Sequence, residues 1–345
     1  MTPRITPRGP VSEALLDALT TDPSAASDDV VRFTENATAA LAAEPDLLTD
    51  EDLQLTLLLL YGLHYGDTVE ADDEWEWNPD LLRTRRAIER VFERQLRERV
   101  PVGDLPEPNA DAVAAYLFDL TSEDGGPSLS RFLAKKATEE QAVEFVIHRS
   151  IYTRKEADPH SWAIPRLTGR AKAALVEVQS DEYGAGRPDR IHAEIFGRTM
   201  RNLGLDDSYG AYIDNVPAIT LASFTMMSMF GLNRGLRGAI TGHLAAFEMT
   251  SSIPNRFYGN GFRRLGHDDE VTWYYDEHVE ADAVHEQIAG RDLAGGLAEQ
   301  HPELLPDIVF GAAACLYVDG LAGQHMLESF EAGRSSLRQP VAVAA

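Results

Sequence analysis

The chain has 345 residues, of which 44% are hydrophobic and 25% are charged, and its formal net charge at pH 7 is −25. That length is sufficient for one large or two medium folded domains with a substantial core. The negative charge argues against nucleic acid and anionic membrane surfaces as partners, because both require a positively charged protein surface.

Cysteine usage and the N-terminal sequence bear on compartment. The single cysteine, Cys315, excludes a disulfide within the monomer, and its apolar neighbours favour a core residue over a nucleophile. The first residues lack the apolar segment of a signal peptide, and the apolar run at residues 55–63 is too short to span a membrane. These features predict a cytoplasmic protein.

Apolar residues recur at helical spacing along most of the chain, and alternating strand patterns bounded by turn residues do not stand out. An all-α fold is therefore predicted. The predicted helices are residues 28–43, 50–65, 79–100, 109–122, 138–155, 167–183, 188–202, 209–230, 236–251, 268–289 and 302–330.

The stretches rich in proline, glycine and acidic residues at 101–108 and 122–128 are the best candidate boundaries. They predict a helical N-terminal segment, residues 11–120, packed on a helical core, residues 121–338. Residues 1–10 and 339–345 are predicted to be disordered tails.

The octet from His278 to His285 contains half of a candidate metal site. At about 100° per residue, positions i, i+4 and i+7 lie within roughly 60° of one another on a helix. His278, Asp282 and His285 would therefore project together, and imidazole with carboxylate is a ligand set that suits iron, manganese or zinc. The alternative is a surface helix with unrelated histidines, or core histidines bonded to neighbours.

Glu248 is the clearest candidate for a ligand from a facing helix. Its neighbours are small or apolar, and a carboxylate is costly to bury unless it is paired or coordinated. The alternative places Glu248 on the solvent side of a half-buried helix.

A second candidate region runs from Glu182 to His192. Two glycines and a proline interrupt the helix there, so periodicity cannot establish that the two side chains face the same way. Asp189 precedes His192 by three residues, and this Asp-x-x-His pattern recurs at Asp282 and His285, much as Glu-x-x-His recurs in ferritin-like diiron bundles.

The sequence resembles the heme-oxygenase-like diiron oxidases, specifically bacterial iron-containing redox enzymes, over roughly residues 125–338. The resemblance is carried by these candidate residues and by the sequence segments Glu156–Arg166 and Gly231–Gly238. The resemblance implies a heme-oxygenase-like helical bundle to which the N-terminal helical segment is added. The ligands that it implies are Glu182, His192, Glu248, His278, Asp282 and His285, with Glu248 bridging both metals. An extra upstream carboxylate would be Glu156 or Glu177.

The activity implied by the resemblance is activation of O₂ by two bound iron ions, or by a Mn/Fe pair, to oxidise a small organic substrate. Desaturation, N-oxygenation and oxidative C–C cleavage all occur in such enzymes, on amino acids or fatty acids among other substrates. An external electron donor and a homodimer are further expectations. Arg234 and Arg237 are candidates for holding a substrate carboxylate, with surface ion pairing as the alternative.

Three other functions stay open at this level. A thiaminase-like enzyme of the same fold would use a cysteine nucleophile, for which Cys315 is poorly placed. A ferritin-like protein would store or oxidise iron without an organic substrate. A zinc hydrolase is the third alternative, and it is disfavoured because zinc sites seldom need six such ligands.

Overall fold

The computed structural model describes residues 5–66, 68–122 and 128–341, and within these ranges the side chains of residues 280–284 are not described. Helices account for most of the described chain and no strand occurs in it, so the all-α prediction is confirmed.

The first helices along the chain are α1 (Pro10–Leu19), α2 (Ser27–Ala42), α3 (Glu51–Tyr65), α4 (Pro79–Arg99) and α5 (Ala110–Ser122). The next are α6 (Leu129–Lys135), α7 (Glu139–Thr153), α8 (Ala157–Ser161), α9 (Gly169–Glu182) and α10 (His192–Asn202). The last are α11 (Ala218–Leu232), α12 (Arg237–Leu265), α13 (Asp269–Gln287), α14 (Gly296–Gln300) and α15 (Leu305–Glu331). A π-helical segment, Ile288–Gly295, joins α13 to α14.

Two predicted helix boundaries were wrong for reasons that involve proline. The helix predicted from residue 209 begins only at Ala218, because Pro217 disfavours a helical residue before it and Val216 is extended. Conversely, α12 does not end near residue 251 but continues through Pro254 to Leu265. Buried side chains beyond the proline, Asn255, Tyr258 and Phe262 among them, pack well enough to continue the helix after one backbone hydrogen bond is lost.

The prediction that residues 1–10 form a disordered tail was wrong for residues 5–10. The buried guanidinium of Arg8 pairs with Glu51 and donates to the carbonyl oxygens of Ile213 and Val216. Pro10 then begins α1, a helix that the sequence analysis missed. At the other end, Asn215 binds the backbone of Arg338 and Gln339, and residues 342–345 lie outside the described part of the chain.

Helix α12 packs against α13 on one side and α15 on another, and α3 connects the N-terminal helices to this core by packing on α11. The contact between α12 and α15 is backbone against backbone. A Cβ on Gly242 would lie 1.8 Å from the carbonyl oxygen of Ile308, and one on Gly311 would lie 1.9 Å from that of Ala239. Glycine is therefore required at both positions for this helix spacing.

The stretch Pro302–Glu331 is long and apolar enough to cross a membrane by length and composition, which the sequence analysis overlooked when it considered only residues 55–63. More than half of its most apolar window, 56%, is buried inside the protein. A core helix passes the same test of length and composition, and α15 packs on α12 and α11 as such a helix does.

His148 on α7 joins three parts of the fold. Its Nδ1 lies 2.7 Å from Oγ1 of Thr220 on α11, and its Nε2 lies 3.0 Å from Oγ of Ser336. Burial, and secondarily the nearby His325, lowers the pKa of His148 to about 3. The folded protein therefore holds this imidazole neutral, whereas the unfolded chain protonates it below its ordinary pKa of 6.5.

We expect this residue to destabilise the protein as the pH falls from 6.5 toward 3, by about 1.4 kcal/mol for each pH unit. Denaturant titrations at pH 7, 6 and 5 should show a shallower loss of unfolding free energy in His148→Gln than in the unsubstituted protein. His301→Gln, at an exposed position, is the control and should leave the slope unchanged. Parallel slopes in all three proteins would contradict the assignment.

Candidate metal centre

Glu182 and His192 meet across a break in the chain. Glu182 is the last residue of α9 and His192 the first of α10, and Oε1 of the carboxylate lies 3.0 Å from Nδ1 of the imidazole. The turn between them needs left-handed backbone at Gly184 and Ala185. A Cβ on Gly184 would lie 2.7 Å from the carbonyl carbon of Arg190, so this position requires glycine. The break thus turns two consecutive helices toward one point.

Glu156 and His278 complete a cluster with this pair. Ligand atoms of Glu156, Glu182, His192 and His278 all lie within 4.8 Å of one another, and all four side chains are buried. Glu156 precedes α8 and accepts a hydrogen bond from the Tyr274 hydroxyl at 3.2 Å. We call these four residues the first cluster.

The two histidines of α13 face different carboxylates. His278 donates from Nδ1 to the backbone oxygen of Tyr274 at 2.7 Å, so its Nε2 faces Glu156 at 3.6 Å. His285, two turns later, places Nδ1 3.4 Å from Oε2 of Glu248 and Nε2 2.9 Å from Oδ2 of Asp181. The Asp282 side chain, predicted as a ligand from the same helix, lies outside the described residues.

The first cluster and the pair formed by Glu248 and His285 interact electrostatically. Burial would raise the pKa of Glu182, but the neighbouring His192, His278 and His285 outweigh it and lower that pKa. The pKa of Glu248 is raised by burial and by the like charge of Glu182. Burial would lower the pKa of His285, yet Glu248 and Asp181 raise it to about 9. Glu182 therefore interacts with the first cluster, with Glu248 and with His285.

The donor atoms suit a bound cation. Oε2 of Glu182 is buried and has no hydrogen-bond partner among the described side chains. Nδ1 of His192 and Nδ1 of His285 are also buried, and each faces a carboxylate oxygen without a well-aligned hydrogen bond. Buried carboxylates and imidazoles left in this state are costly unless a cation compensates them. Carboxylate oxygen with imidazole nitrogen is the ligand chemistry of non-heme iron, so the residues present fit that metal.

Four of the residues predicted for this site lie away from the first cluster. Glu177 is exposed on α9 and Asp189 is exposed in the turn before α10, so neither side chain reaches the cluster. Arg234 is exposed, and Arg237 donates to its backbone oxygen at the start of α12. About 16 Å of helix rise separates Arg237 from Glu248, which places both arginines away from the centre.

Of two neighbouring cavities, the smaller adjoins the first cluster. A small cleft beside Glu156, Glu182 and His278 has about 30 Å³ of space, enough for a couple of water molecules. A cavity of about 900 Å³ lies between α7, α12 and α15 and is in the size range of organic ligands. The cleft and the cavity share four lining residues, which are Arg149, Phe247, Ser251 and Asn255.

Sequence reasoning missed several residues around these cavities. Asp319, a carboxylate in the apolar middle of α15, carried the same signal that identified Glu248. His160 lines the cleft, and its Nε2 lies 3.2 Å from Nδ1 of His243. Arg149 carried no comparable signal, because one arginine on a helix is ordinary.

Comparisons with known proteins agree with this geometry. The family of iron-containing redox enzymes matches residues 143–320, just over half of the chain. Nitrosourea synthase of Streptomyces achromogenes subsp. streptozoticus is 26% identical over 206 residues, which are 59% of this chain. The match spans only 44% of that protein's length.

The family match covers the helices that contribute all four residues of the first cluster, together with Glu248 and His285. It also lies inside the region, roughly residues 125–338, in which the sequence resembles this family. The all-α architecture is that of the heme-oxygenase-like fold. The chain therefore belongs to the iron-containing redox enzymes, within the heme-oxygenase-like diiron oxidase superfamily.

Proposed function

We propose that this protein binds two iron ions and uses O₂ to oxidise a small organic substrate. The observation that carries the proposal is the buried carboxylate–imidazole cluster, which lines a small cleft. That cleft shares four wall residues with a cavity large enough for such a substrate. Glu156, Glu182, His192 and His278 would hold one ion. Glu248, His285 and, from the sequence pattern, Asp282 would hold the other.

The contacts favour Glu182 over Glu248 as the carboxylate shared by both ions. Glu182 is a member of the first cluster and also interacts electrostatically with His285 and Glu248. Among the proposed ligands whose side chains are described, the one that Glu248 contacts most closely is His285. This revises the bridging role that the resemblance implied for Glu248.

Iron bound in this centre would supply the electrons that reduce O₂. The protein's own residues orient the ligands and exclude bulk water. The Tyr274 hydroxyl holds Glu156, the Tyr274 backbone oxygen holds His278, and Asp181 holds His285. His278 and His285 thus each keep one imidazole nitrogen for a metal while the other is fixed by a hydrogen bond.

The large cavity favours substrate oxidation over iron storage, because storage needs no organic binding site. Cys315 is buried, and burial raises the pKa of its thiol, so a thiaminase-like nucleophile is disfavoured. The external electron donor, the homodimer, the Fe/Fe or Mn/Fe composition and the reaction type stay predictions.

The direct test is anaerobic loading with ferrous iron, followed by exposure to O₂. We expect about two iron ions per chain, uptake of O₂, and a visible absorption that develops after mixing. Zinc-loaded and metal-free protein serve as controls and should not react. Fewer than two bound ions, or an iron-loaded protein that does not consume O₂, would contradict the proposal.

Asp181→Asn provides a separate test of how His285 is held. The side chain of Asp181 is 53% exposed, so its replacement by the isosteric amide should leave the fold intact. Loss of the charged hydrogen bond to His285 should weaken binding of the second ion by about 10–100-fold. Ferrous titration monitored by calorimetry would measure it, with Asp17→Asn, an equally exposed ion-paired aspartate, as the matched surface control.

A further inference from the structure

The 900 Å³ cavity contains two opposite charges that do not pair with each other. Arg149 on α7 and Asp319 on α15 both line it, together with the aromatic rings of Phe145, Tyr152 and Tyr258. No ion pair within 4.0 Å joins Arg149 to a carboxylate in the described part of the chain, although the protein carries a large excess of acidic residues.

Aromatic rings hold the Arg149 guanidinium in place. Its central carbon lies 4.5 Å from the Tyr152 ring centroid, 5.7 Å from that of Phe145 and 5.9 Å from that of Tyr258. Cation–π contacts fix the orientation of the guanidinium without using its N–H donors. Those donors remain available for a bidentate interaction with a carboxylate of the ligand.

Asp319 carries the opposite charge to Arg149, and no cationic side chain forms an ion pair with this carboxylate in the described part of the cavity wall. Its Oδ1 accepts a hydrogen bond from the Ser223 hydroxyl at 2.7 Å. Burial raises the pKa of Asp319, and the more distant charge of Arg149 only partly offsets this. A cationic group of a ligand would restore the charged form and stabilise it.

Asn255 supplies an independent indication of a ligand. It lies in the wall shared by the large cavity and the cleft beside the first cluster, and only 3% of its surface is exposed. Its side-chain oxygen has no hydrogen-bond partner among the described residues. A buried acceptor in this state is satisfied when a bound molecule donates an N–H or O–H to it.

We propose that the cavity binds a zwitterionic substrate, with its carboxylate on Arg149 and its cationic nitrogen at Asp319. This inference rests on the proposed function, since it assumes that the molecule in the cavity is the one oxidised. A fatty acid would satisfy Arg149 but leave Asp319 and Asn255 unpaired in a water-poor wall. An uncharged substrate would leave both charged side chains without an opposite charge.

Binding of four six-carbon probes tests the proposal without turnover. Calorimetry is carried out anaerobically on both iron-loaded and metal-free protein with L-norleucine, 6-aminohexanoate, hexanoate and hexylamine. We expect one of the two zwitterions to bind at least tenfold more tightly than hexanoate and than hexylamine. The two zwitterions differ in charge separation, so their ranking also measures the distance that the site selects.

Two substitutions separate the charges. Arg149→Gln should weaken binding of the tighter zwitterion and of hexanoate at least tenfold, and should leave binding of hexylamine unchanged. Asp319→Asn should weaken binding of the tighter zwitterion and of hexylamine, and should leave binding of hexanoate unchanged. The exposed changes Arg83→Gln and Asp104→Asn are matched controls. Hexanoate that binds as tightly as the tighter of the two zwitterions, affinity for that zwitterion that survives Asp319→Asn, or no zwitterion binding would overturn the proposal. Iron content is measured separately, so failure of the metal centre is distinguishable from failure of this charge recognition.

Discussion

Glu182→Gln is expected to remove both iron ions. The substitution preserves the size of the side chain but removes the negative charge that lies between His192, His278 and His285. Loss of an outer hydrogen-bond partner typically weakens metal binding 10–100-fold, so loss of the shared ligand itself should weaken it more than about 100-fold. Iron content after anaerobic loading and desalting, and O₂ uptake afterwards, would both fall close to zero.

The matched control is Glu177→Gln, the same change on the same helix at an exposed position. It should retain full iron content and full O₂ uptake. Circular dichroism of both variants would establish that the helices remain. A folded Glu182→Gln protein that still binds two ions would refute the shared-ligand role.

His278→Ala and His285→Ala should each leave about one iron ion per chain. About 10 Å of helix rise separates the two residues, and they face different carboxylates, Glu156 and Glu248. Removal of one imidazole therefore empties one position and leaves the ligands of the other in place. Both variants should lose rapid O₂ uptake, because a single ferrous ion supplies fewer electrons than the pair.

Double substitution distinguishes two positions from one. If the two histidines serve separate ions, His278→Ala/His285→Ala should bind almost no iron, whereas His301→Ala, at an exposed position, should bind the full amount. Complete loss of iron in either single variant would mean that the two positions are not independent. Full retention in either would exclude that histidine as a ligand.

The residues of this centre that could be predicted from sequence are those whose positions follow from helical spacing or from their immediate neighbours in the chain. Helical spacing alone brings His278 and His285 to one face of a helix, two turns apart, and the apolar surroundings of Glu248 indicate a buried carboxylate. The pairing of Glu182 with His192 depended on the family resemblance. Their 3.0 Å approach results from left-handed backbone at Gly184 and Ala185, which periodicity cannot express.

Other features depend on how distant segments meet. Glu156 precedes a five-residue helix, and its place in the cluster is set by contact with Tyr274, more than a hundred residues later. Arg149 and Asp319 face one cavity only because α7 and α15 pack around it. Likewise, Arg8 lies in a stretch whose composition suggests disorder, yet its contacts with Glu51 and Val216 order it.

The backbone contact at Gly242 and Gly311 has a consequence for how such an enzyme can diversify. The spacing between α12 and α15 is determined there by main-chain atoms, six residues before Glu248 along α12. Farther along α15, Leu316, Gly320 and Gly323 form part of the cavity wall. Exchanges at these three positions can reshape the volume open to a substrate while the helix crossing keeps Glu248 in place. Substrate range and metal retention can therefore evolve, or be engineered, as separate properties of one scaffold.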